Sequence, residues 1–335
     1  MTELDSTSNG MSVSETELPT RVAAIDCGTN SIRLLVADYD SDTGQLHDLV
    51  RTMEIVRLGQ GVDQTRRLAP EALERTFKAI DGFQESIAEL KPQAIRFVAT
   101  SASRDAENSD EFMAGVKERL GIEPAVISGN QEAEFSFTGA INSQGPAIEA
   151  SNDGEGAWPA LVVDIGGGST ECVLGTLTAG VESAFSADIG CVRMTERCLK
   201  SDPPTAAEIT QAREEINSAL NEVNQHVELG STRSLVGVAG TVTTIGAIAA
   251  GIDQYDAEVT HGLVIPADKV HDIAESLLAQ TRAERAAIPV MHPGRVDVIG
   301  GGALVLSELI KRLDVSELRI SEHDILDGIA LSLVR

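Results

Sequence analysis

Positive charge is scarce in this 335-residue sequence, which carries 26 Lys and Arg against 52 Asp and Glu, a net charge of -26 at pH 7. A general DNA or RNA binder needs the opposite balance, so we expect no nucleic-acid partner. Long apolar runs are also missing, since no stretch of about 18 apolar residues occurs. The N-terminal segment has neither the basic start nor the apolar core of a signal peptide. The sequence therefore predicts a cytoplasmic protein that does not bind membranes.

Clustered metal ligands and paired cysteines are absent as well. The four cysteines show neither zinc-site spacing nor the density of a disulfide scaffold. They are Cys27, Cys172, Cys191 and Cys198. The histidines lack the i, i+4 spacing of metal ligands. We expect reduced, buried cysteines and histidines with surface or packing roles.

Two common phosphate loops, G-x-G-x-x-G and G-x-x-x-x-G-K-[ST], do not occur. Instead, one pattern occurs twice, in "AAIDCGTNSIRLLV" and in "VVDIGGGSTECVLG". In both, an apolar strand leads to an Asp, which is followed by a Gly two residues later and a Ser five residues later. The matching residues are Asp26, Gly28 and Ser31 in the first segment and Asp164, Gly166 and Ser169 in the second. Each turn leads into another strand, whereas dinucleotide and P-loop folds lead into a helix. We predict two similar halves that each present a β-hairpin turn to a shared cleft.

The residue types in these turns suit phosphate. Glycines let backbone N–H groups approach an anion closely, and Ser or Thr hydroxyls add donors. Asp164 and Glu171 flank the second turn, where bare carboxylates would repel phosphate, so they indicate a hard cation such as Mg²⁺. Taken alone, the glycines at 166–168 could form a plain hairpin turn with no ligand. The second copy of the pattern in the other half makes that alternative weaker.

The rest of the chain reads as alternating strands and helices. Residues 1–19 are rich in Ser, Thr and Glu, and we expect a disordered tail there. One helix is predicted to start at Pro70, and another at the capping box of Thr205 and Glu208. Clustered Gly and Pro from about Asn142 to Pro159 predict a surface loop.

A set of ordered segments resembles the exopolyphosphatase and guanosine pentaphosphate phosphohydrolase family. These segments are "AAIDCGTNSIRLLV", "ATSASRDAEN", "ISGNQEAEFSFTGA", "VVDIGGGSTE", "DIGCVRMTE", "VAGTVTTIGAI", "GRVDVIGGGALVL" and "ISEHDILDGIA". The resemblance implies an α/β fold of two ribonuclease-H-like domains, as in actin, the sugar kinases and the heat-shock ATPases, with the active site in the interdomain cleft. It implies domain I over 20–130 plus 321–335 and domain II over 131–320, with the C-terminal helix packed on domain I.

The same resemblance implies roles for single residues. Glu132 matches the general base that activates water, and Arg104 matches a basic contact to the substrate. Asp164 and Glu171 match the acids that place Mg²⁺, or Mn²⁺ in its stead, and help organise that water. The residues that match the phosphate-gripping turns are Gly28, Thr29, Asn30, Ser31, Arg33, Gly166, Gly167, Gly168, Ser169 and Thr170, with Gly240 and Thr241 expected in the same cleft.

Several functions fit these residues. We expect an exopolyphosphatase acting on inorganic polyphosphate, because the chain stops after two domains, without the long C-terminal extension of larger family members. A guanosine pentaphosphate phosphohydrolase would use the same site. A non-catalytic phosphate or nucleotide sensor is the third function, and its hint is Gln131, where family members often carry Glu. A kinase of the same superfold would need an acceptor pocket with a catalytic Asp, which we do not find in the sequence.

Two expectations concern contacts beyond the cleft. The family likeness suggests a homodimer. Arg193, Arg197 and Lys200 share one predicted helix and could meet a polyanion, although helix-surface charge is the commoner reason for such residues.

Overall fold

The computed structural model describes residues 20–151, 155–313 and 315–334. The predicted tail over residues 1–19 lies outside these ranges. The described chain forms two β-sheets, each covered by helices on both faces, and we refer to the two parts as the first half and the second half.

The first half is built on five strands: β1 (Thr20–Cys27), β2 (Ser31–Asp40), β3 (Gln45–Ile55), β4 (Ala94–Ala99) and β5 (Ala125–Val126). Their order in the sheet is β3-β2-β1-β4-β5. Strands β1 to β3 form an antiparallel meander, and β4 and β5 run parallel to β1. The helices of this half are α1 (Val62–Thr65), α2 (Pro70–Leu90), α3 (Ser101–Asp105) and α4 (Ser109–Leu120).

The second half is built on six strands: β6 (Ala160–Ile165), β7 (Thr170–Thr176), β8 (Gly180–Ala187), β9 (Ser234–Val238), β10 (Val264–Pro266) and β11 (Glu317–Ile320). Their order is β10-β11-β9-β6-β7-β8. The helices that follow α4 are α5 (Gly129–Ser151), α6 (Cys191–Arg197), α7 (Ala206–His226), α8 (Ala239–Ala250), α9 (Ala257–Thr260), α10 (Ala267–Ala279), α11 (Arg282–Ala286), α12 (Ile299–Ile310) and α13 (Ile325–Leu331). Short 3₁₀ turns lie at Glu155–Ala157 and Leu229–Ser231.

The two sheets repeat one arrangement around their central strands. Strand β1 pairs antiparallel with β2 and parallel with β4, and β6 pairs antiparallel with β7 and parallel with β9. The hairpin turns β1–β2 and β6–β7 therefore occupy equivalent positions in the two halves. The predicted α/β fold with two similar halves is confirmed.

The middle of the central strand β1, residues 22–25, is apolar because both faces of its sheet are covered. Ala23 and Ile25 pack in the cluster formed with α2 and α4, whereas Val22 and Ala24 pack against Ile325 and other residues of the C-terminal helix α13. The predicted return of the C-terminal helix to the first half is therefore confirmed.

Helices α5 and α13 cross at very short range because each carries a glycine at the crossing. A Cβ on Gly139 would lie 1.9 Å from the carbonyl oxygen of Asp324, and one on Gly328 would lie 2.0 Å from that of Phe135. Backbone atoms cannot yield that much space, so only glycine fits. The crossing holds the start of α13 beside α5, which carries Glu132.

The surface loop predicted from Asn142 to Pro159 is wrong over its first part. Helix α5 continues to Ser151 with Pro146 inside it. Ile141, Gln144 and Ile148 are buried at helical spacing, so packing against the second sheet outweighs the weak local propensity.

Other expectations are confirmed. Helix α2 starts at Pro70, and Thr205 and Glu208 form both hydrogen bonds of a capping box at α7. All four cysteines are buried and free. Within the described residues, every helix is too short or too polar to cross a membrane.

Candidate active site

The two hairpin turns have the same internal geometry. In the first turn, the amide of Gly28 donates to the carbonyl of Ser31 at 2.9 Å, and in the second, Gly166 donates to Ser169 at 3.0 Å. Gly167 packs directly on the first turn, because a Cβ there would lie 2.8 Å from Cβ of Thr29. The turns thus meet, as the repeated sequence pattern predicts.

A cavity of about 90 Å³ lies between them. It brings together most of the predicted site. The lining residues that the sequence singled out are Gly28, Thr29, Asn30, Ser31, Arg33, Glu132, Asp164, Gly166, Gly167, Ser169, Gly240 and Thr241. Asp26 lines the same cavity, so Asp26 and Asp164 share one crevice.

Four predicted site residues do not line this cavity. Gly168 is covered, since a Cβ there would lie 2.6 Å from Oγ of Ser101. The hydroxyl of Thr170 is engaged inside the fold, where it donates to the carbonyl of Ile189. Arg104 and Glu171 lie behind the lining residues Glu132 and Asp164.

Glu132 projects inward from the first turn of α5 and is 8 % exposed. Nη1 of Arg104 donates to its Oε2 at 2.7 Å and to the carbonyl of Ile127 at 3.0 Å. Burial raises the pKa of Glu132, and the Arg104 guanidinium opposes that rise. From behind the cavity, Arg104 therefore orients this carboxylate and favours its ionised form.

Gln131 faces the other way. It is exposed, and its Oε1 accepts hydrogen bonds from the amide of Ser128 at 3.1 Å and from the hydroxyl of Ser128 at 3.2 Å. This side chain closes the N-terminus of α5 and lies away from the cavity.

Asp164 and Glu171 are opposite each other in the β6–β7 register, so both side chains leave the sheet on one face. Their hydrogen-bond partners include serine hydroxyls: Ser136 donates to Asp164 at 2.6 Å and Ser186 to Glu171 at 2.7 Å. Burial, with the charge of Asp324, raises the pKa of Asp164 to about 7. Burial and the charges of Glu132 and Asp164 raise the pKa of Glu171 well above its usual value.

Buried carboxylates that repel each other fit a bound cation. Among the described residues, no three His, Cys, Asp or Glu side chains are arranged to enclose a metal by themselves. Mg²⁺ commonly takes one or two carboxylates and completes its shell with water and phosphate oxygens. The pair Asp164 and Glu171 therefore fits a metal shared with a phosphate ligand and does not form a closed structural site.

Sequence reasoning missed two residues that the fold brings to this region from far along the chain, Arg295 in the cavity wall and Asp324 beside it. Asp324 at the N-cap of α13 pairs with Arg33, which also donates to Asp26 at 2.6 Å. Arg295 lines the cavity and packs on Gly240, where a Cβ would lie 2.3 Å from its Nη2. Within the described ranges Arg295 forms no ion pair. The quoted segments "ISEHDILDGIA" and "GRVDVIGGGALVL" contain both residues, yet nothing local marks them.

A second cavity of about 440 Å³ adjoins the first and shares Arg33, Met53, Gly240 and Arg295 with it. Apolar side chains contribute much of its wall. Those side chains are Met53, Tyr255, Pro289, Val290, Met291 and Leu326. The polar small cavity thus opens beside a larger and more apolar one.

Known proteins match nearly the whole length of this chain. Exopolyphosphatase 2 of Mycobacterium tuberculosis (strain H37Rv) is 49% identical over 325 residues, which cover 94% of this chain and 98% of that protein. The crystal structure of an exopolyphosphatase-like protein matches with a TM-score of 0.88 and 43% identity, over 95% of this chain and 98% of the other. The Aquifex aeolicus member of the Ppx/GppA family matches with a TM-score of 0.75 and 29% identity, over 94% and 97%.

The family model described as "Ppx/GppA phosphatase family" matches residues 36–335. This range contains the second glycine turn and begins after the first. The relatives above match 94% and 95% of the chain. The chain therefore belongs to the Ppx/GppA phosphatase family.

Proposed function

We propose that this protein is an exopolyphosphatase, which hydrolyses the terminal phosphoanhydride bond of inorganic polyphosphate and releases orthophosphate. The observation that carries the proposal is the pair of glycine turns facing each other over Glu132 and Asp164 in one small cavity. The similarity over nearly the whole chain to a protein named exopolyphosphatase supports it.

Phosphoanhydride hydrolysis needs an in-line water, neutralised charge on the transferred phosphoryl group and a held leaving group. In the proposed mechanism, Glu132 takes a proton from the attacking water. Its orientation is fixed by Arg104, and its raised pKa brings the carboxylate nearer to the working pH of a general base.

Phosphate binding is assigned to the turns. Backbone amides and hydroxyls of the cavity-lining residues 29–31, 167 and 169 would hold the terminal phosphate, and Arg295 would neutralise part of its charge. Arg33 is already paired with Asp26 and Asp324, so its guanidinium contributes less free charge than Arg295.

A divalent metal is part of the proposal, with Mg²⁺ as the expected ion and Mn²⁺ as an alternative. Asp164 and Glu171 would hold it, and when bound it would neutralise phosphate oxygens and help organise the water. The chemistry of the donor set supports this assignment, because two buried carboxylates are oxygen ligands of the kind Mg²⁺ prefers.

The mechanism is tested by phosphate release from polyphosphate with Glu132→Gln and a matched control, Glu134→Gln. Glu134 is exposed on the same helix, two residues further on. We expect Glu132→Gln to lose about 10²–10⁴-fold in kcat and Glu134→Gln to retain wild-type kcat. Unchanged turnover in Glu132→Gln would contradict the assigned base.

The second cavity favours one alternative substrate, guanosine pentaphosphate. An inorganic chain has no apolar part, whereas a nucleoside attached to the phosphates would fill the space walled by Tyr255, Met53 and Met291. Comparing kcat/KM for long-chain polyphosphate with kcat/KM for the nucleotide decides between the two. A higher value for the nucleotide would make it the preferred substrate.

The hypothesis of a non-catalytic sensor rests on Gln131 alone. Because Gln131 lies outside the cavity, it gives that hypothesis no support.

The remaining expectations stay proposals. We propose domain I over 20–130 plus 321–335 and domain II over 131–320, a homodimer, and a cytoplasmic location. Light scattering coupled to gel filtration tests the dimer by the measured mass.

A further inference from the structure

Arg193 lies behind the second glycine turn, on α6. Its side chain is 7 % exposed, and its Nε donates to the carbonyl of Gly168 at 2.7 Å. Nη1 donates to Asp63 at 2.9 Å and Nη2 to Asp105 at 2.5 Å. Both aspartates belong to the first half, so one guanidinium joins the turn of the second half to two carboxylates of the first.

The backbone of α6 holds the same turn. The amide of Cys191 donates to the carbonyl of Gly166 at 2.9 Å, and that of Val192 donates to Gly167 at 2.9 Å. Gly190 permits this approach, because a Cβ there would lie 2.4 Å from the carbonyl carbon of Gly167. A displacement of α6 would therefore displace the turn.

Helix α3 connects this cluster to the proposed general base. Asp105 accepts from Arg193, and its neighbour Arg104 donates to Glu132 at 2.7 Å. A continuous set of polar contacts thus runs from Glu132 through α3 and Arg193 to Gly168. Neither Arg193 nor Asp105 lines the cavity.

We propose that Arg193 is a positioning residue, which sets the distance between the water held by Glu132 and the phosphate held by the second glycine turn. The inference rests on the proposed function. A buried guanidinium with several fixed partners suits this task, since its planar fork holds three acceptors at once. Displacement of reacting groups by about 1 Å can cost about 10²-fold in rate.

The arginines of α6 are engaged inside the protein and are not free to meet a polyanion. Arg193 is engaged on all three nitrogens, and Arg197 forms a bidentate pair with Asp63 at 2.6 and 2.7 Å. Both guanidinium groups join the halves of the protein.

The test compares Arg193→Met with Arg197→Met in polyphosphate hydrolysis. The control variant removes a pair to the same Asp63 from the same helix and leaves the bond to Gly168 in place. We expect Arg193→Met to lower kcat by about 10–100-fold with KM changed by less than about threefold, and Arg197→Met to keep kcat within about twofold. Hydrogen exchange of residues 161–175 should be faster in Arg193→Met than in the control.

Two results would overturn the proposal. An unchanged kcat with a lowered melting temperature would make Arg193 a stabilising residue only. A raised KM with unchanged kcat, growing with chain length, would make it a substrate contact.

A second variant covers the case in which Arg193→Met does not fold. Asp105→Asn keeps the size of the partner, removes its charge and leaves one acceptor oxygen, and it should lower kcat in the same way. If the wild-type protein releases no phosphate, the proposed function fails by itself, and the exchange comparison still decides whether Arg193 holds the turn.

Discussion

The β1–β2 and β6–β7 hairpins have the same backbone arrangement but differ in the residue paired with the aspartate. In β1–β2, Asp26 is in register with Arg33, and in β6–β7, Asp164 is in register with Glu171. The first pair is a salt bridge, in which burial raises the pKa of Asp26 and Arg33 opposes that rise. The second pair is two carboxylates whose pKa values are raised by burial and by neighbouring carboxylates. The same turn geometry therefore places a neutralised ion pair on one side of the cleft and two carboxylates that can bind a cation on the other.

The surroundings of each hairpin reinforce this difference. Arg33 has a second buried carboxylate, Asp324, so the first hairpin is tied to α13. Asp164 and Glu171 have serine hydroxyls instead of cations as direct partners. Repulsion between the Asp164 and Glu171 carboxylates lowers the stability of the folded protein. Sites that keep such repulsion are commonly functional.

The largest effect is expected from making the second hairpin resemble the first. Glu171→Arg would place a guanidinium opposite Asp164, form a salt bridge and remove the proposed metal ligand pair. We expect phosphate release to fall at least about 10³-fold, since metal assistance is worth several kcal/mol. Glu182→Arg on the neighbouring strand β8 is the control, because Glu182 is exposed. Activity retained in Glu171→Arg would remove this carboxylate from the site.

The next effect comes from removing the cation of the first hairpin. Arg33→Met would leave Asp26 and Asp324, which are 5 % and 3 % exposed, without their shared partner. Breaking a buried pair in this way typically costs about 3–5 kcal/mol, so urea unfolding should occur at clearly lower concentration. Arg21→Met is the matched control, because Arg21 pairs with Asp38 across the same two strands at a half-buried site. Equal losses in both variants would contradict the difference we describe.

The smallest effect is a pH dependence of the second hairpin, measured without metal. A carboxyl whose pKa is raised by folding contributes stability at low pH and loses it as pH rises through the folded value. For Asp164 the window runs from its ordinary 3.8 to about 7. Raising the pH through this window should lower the melting temperature of the wild type more than that of Asp164→Asn, by roughly 2–4 °C.

The comparison with the variant is needed because other groups titrate nearby. His323 also has a raised pKa, which gives the same direction of pH dependence in both proteins. A wild-type curve that matches the Asp164→Asn curve would show that Asp164 titrates normally.

The sequence predicted the turns well and their long-range partners poorly. The spacing of Asp, Gly and Ser sets a hairpin locally, so its repetition predicted a shared cleft, and both turns do meet there. Asp324 and Arg33 are separated by 291 positions, so no spacing rule links them. Arg295 likewise reaches the cavity through the packing of the second half against Gly240.

Local signals also misled in two places. Gly145 and Pro146 predicted a loop, yet the buried face of α5 keeps the helix intact. Thr170 follows the glycines and matches a phosphate-binding position, but as the first residue of β7 its hydroxyl bonds inside the fold. Strand alternation separates it from its neighbour Glu171, because successive side chains face opposite sides of a sheet.

The central claim is that the facing turns hold the end of a phosphate chain with a metal between the carboxylates. The most direct test is orthophosphate release from polyphosphates of defined length with Mg²⁺ present, then chelated, then restored. We predict release at one or more lengths that stops with the chelator and returns with Mg²⁺. No release at any length, or release that the chelator leaves unchanged, would contradict the account.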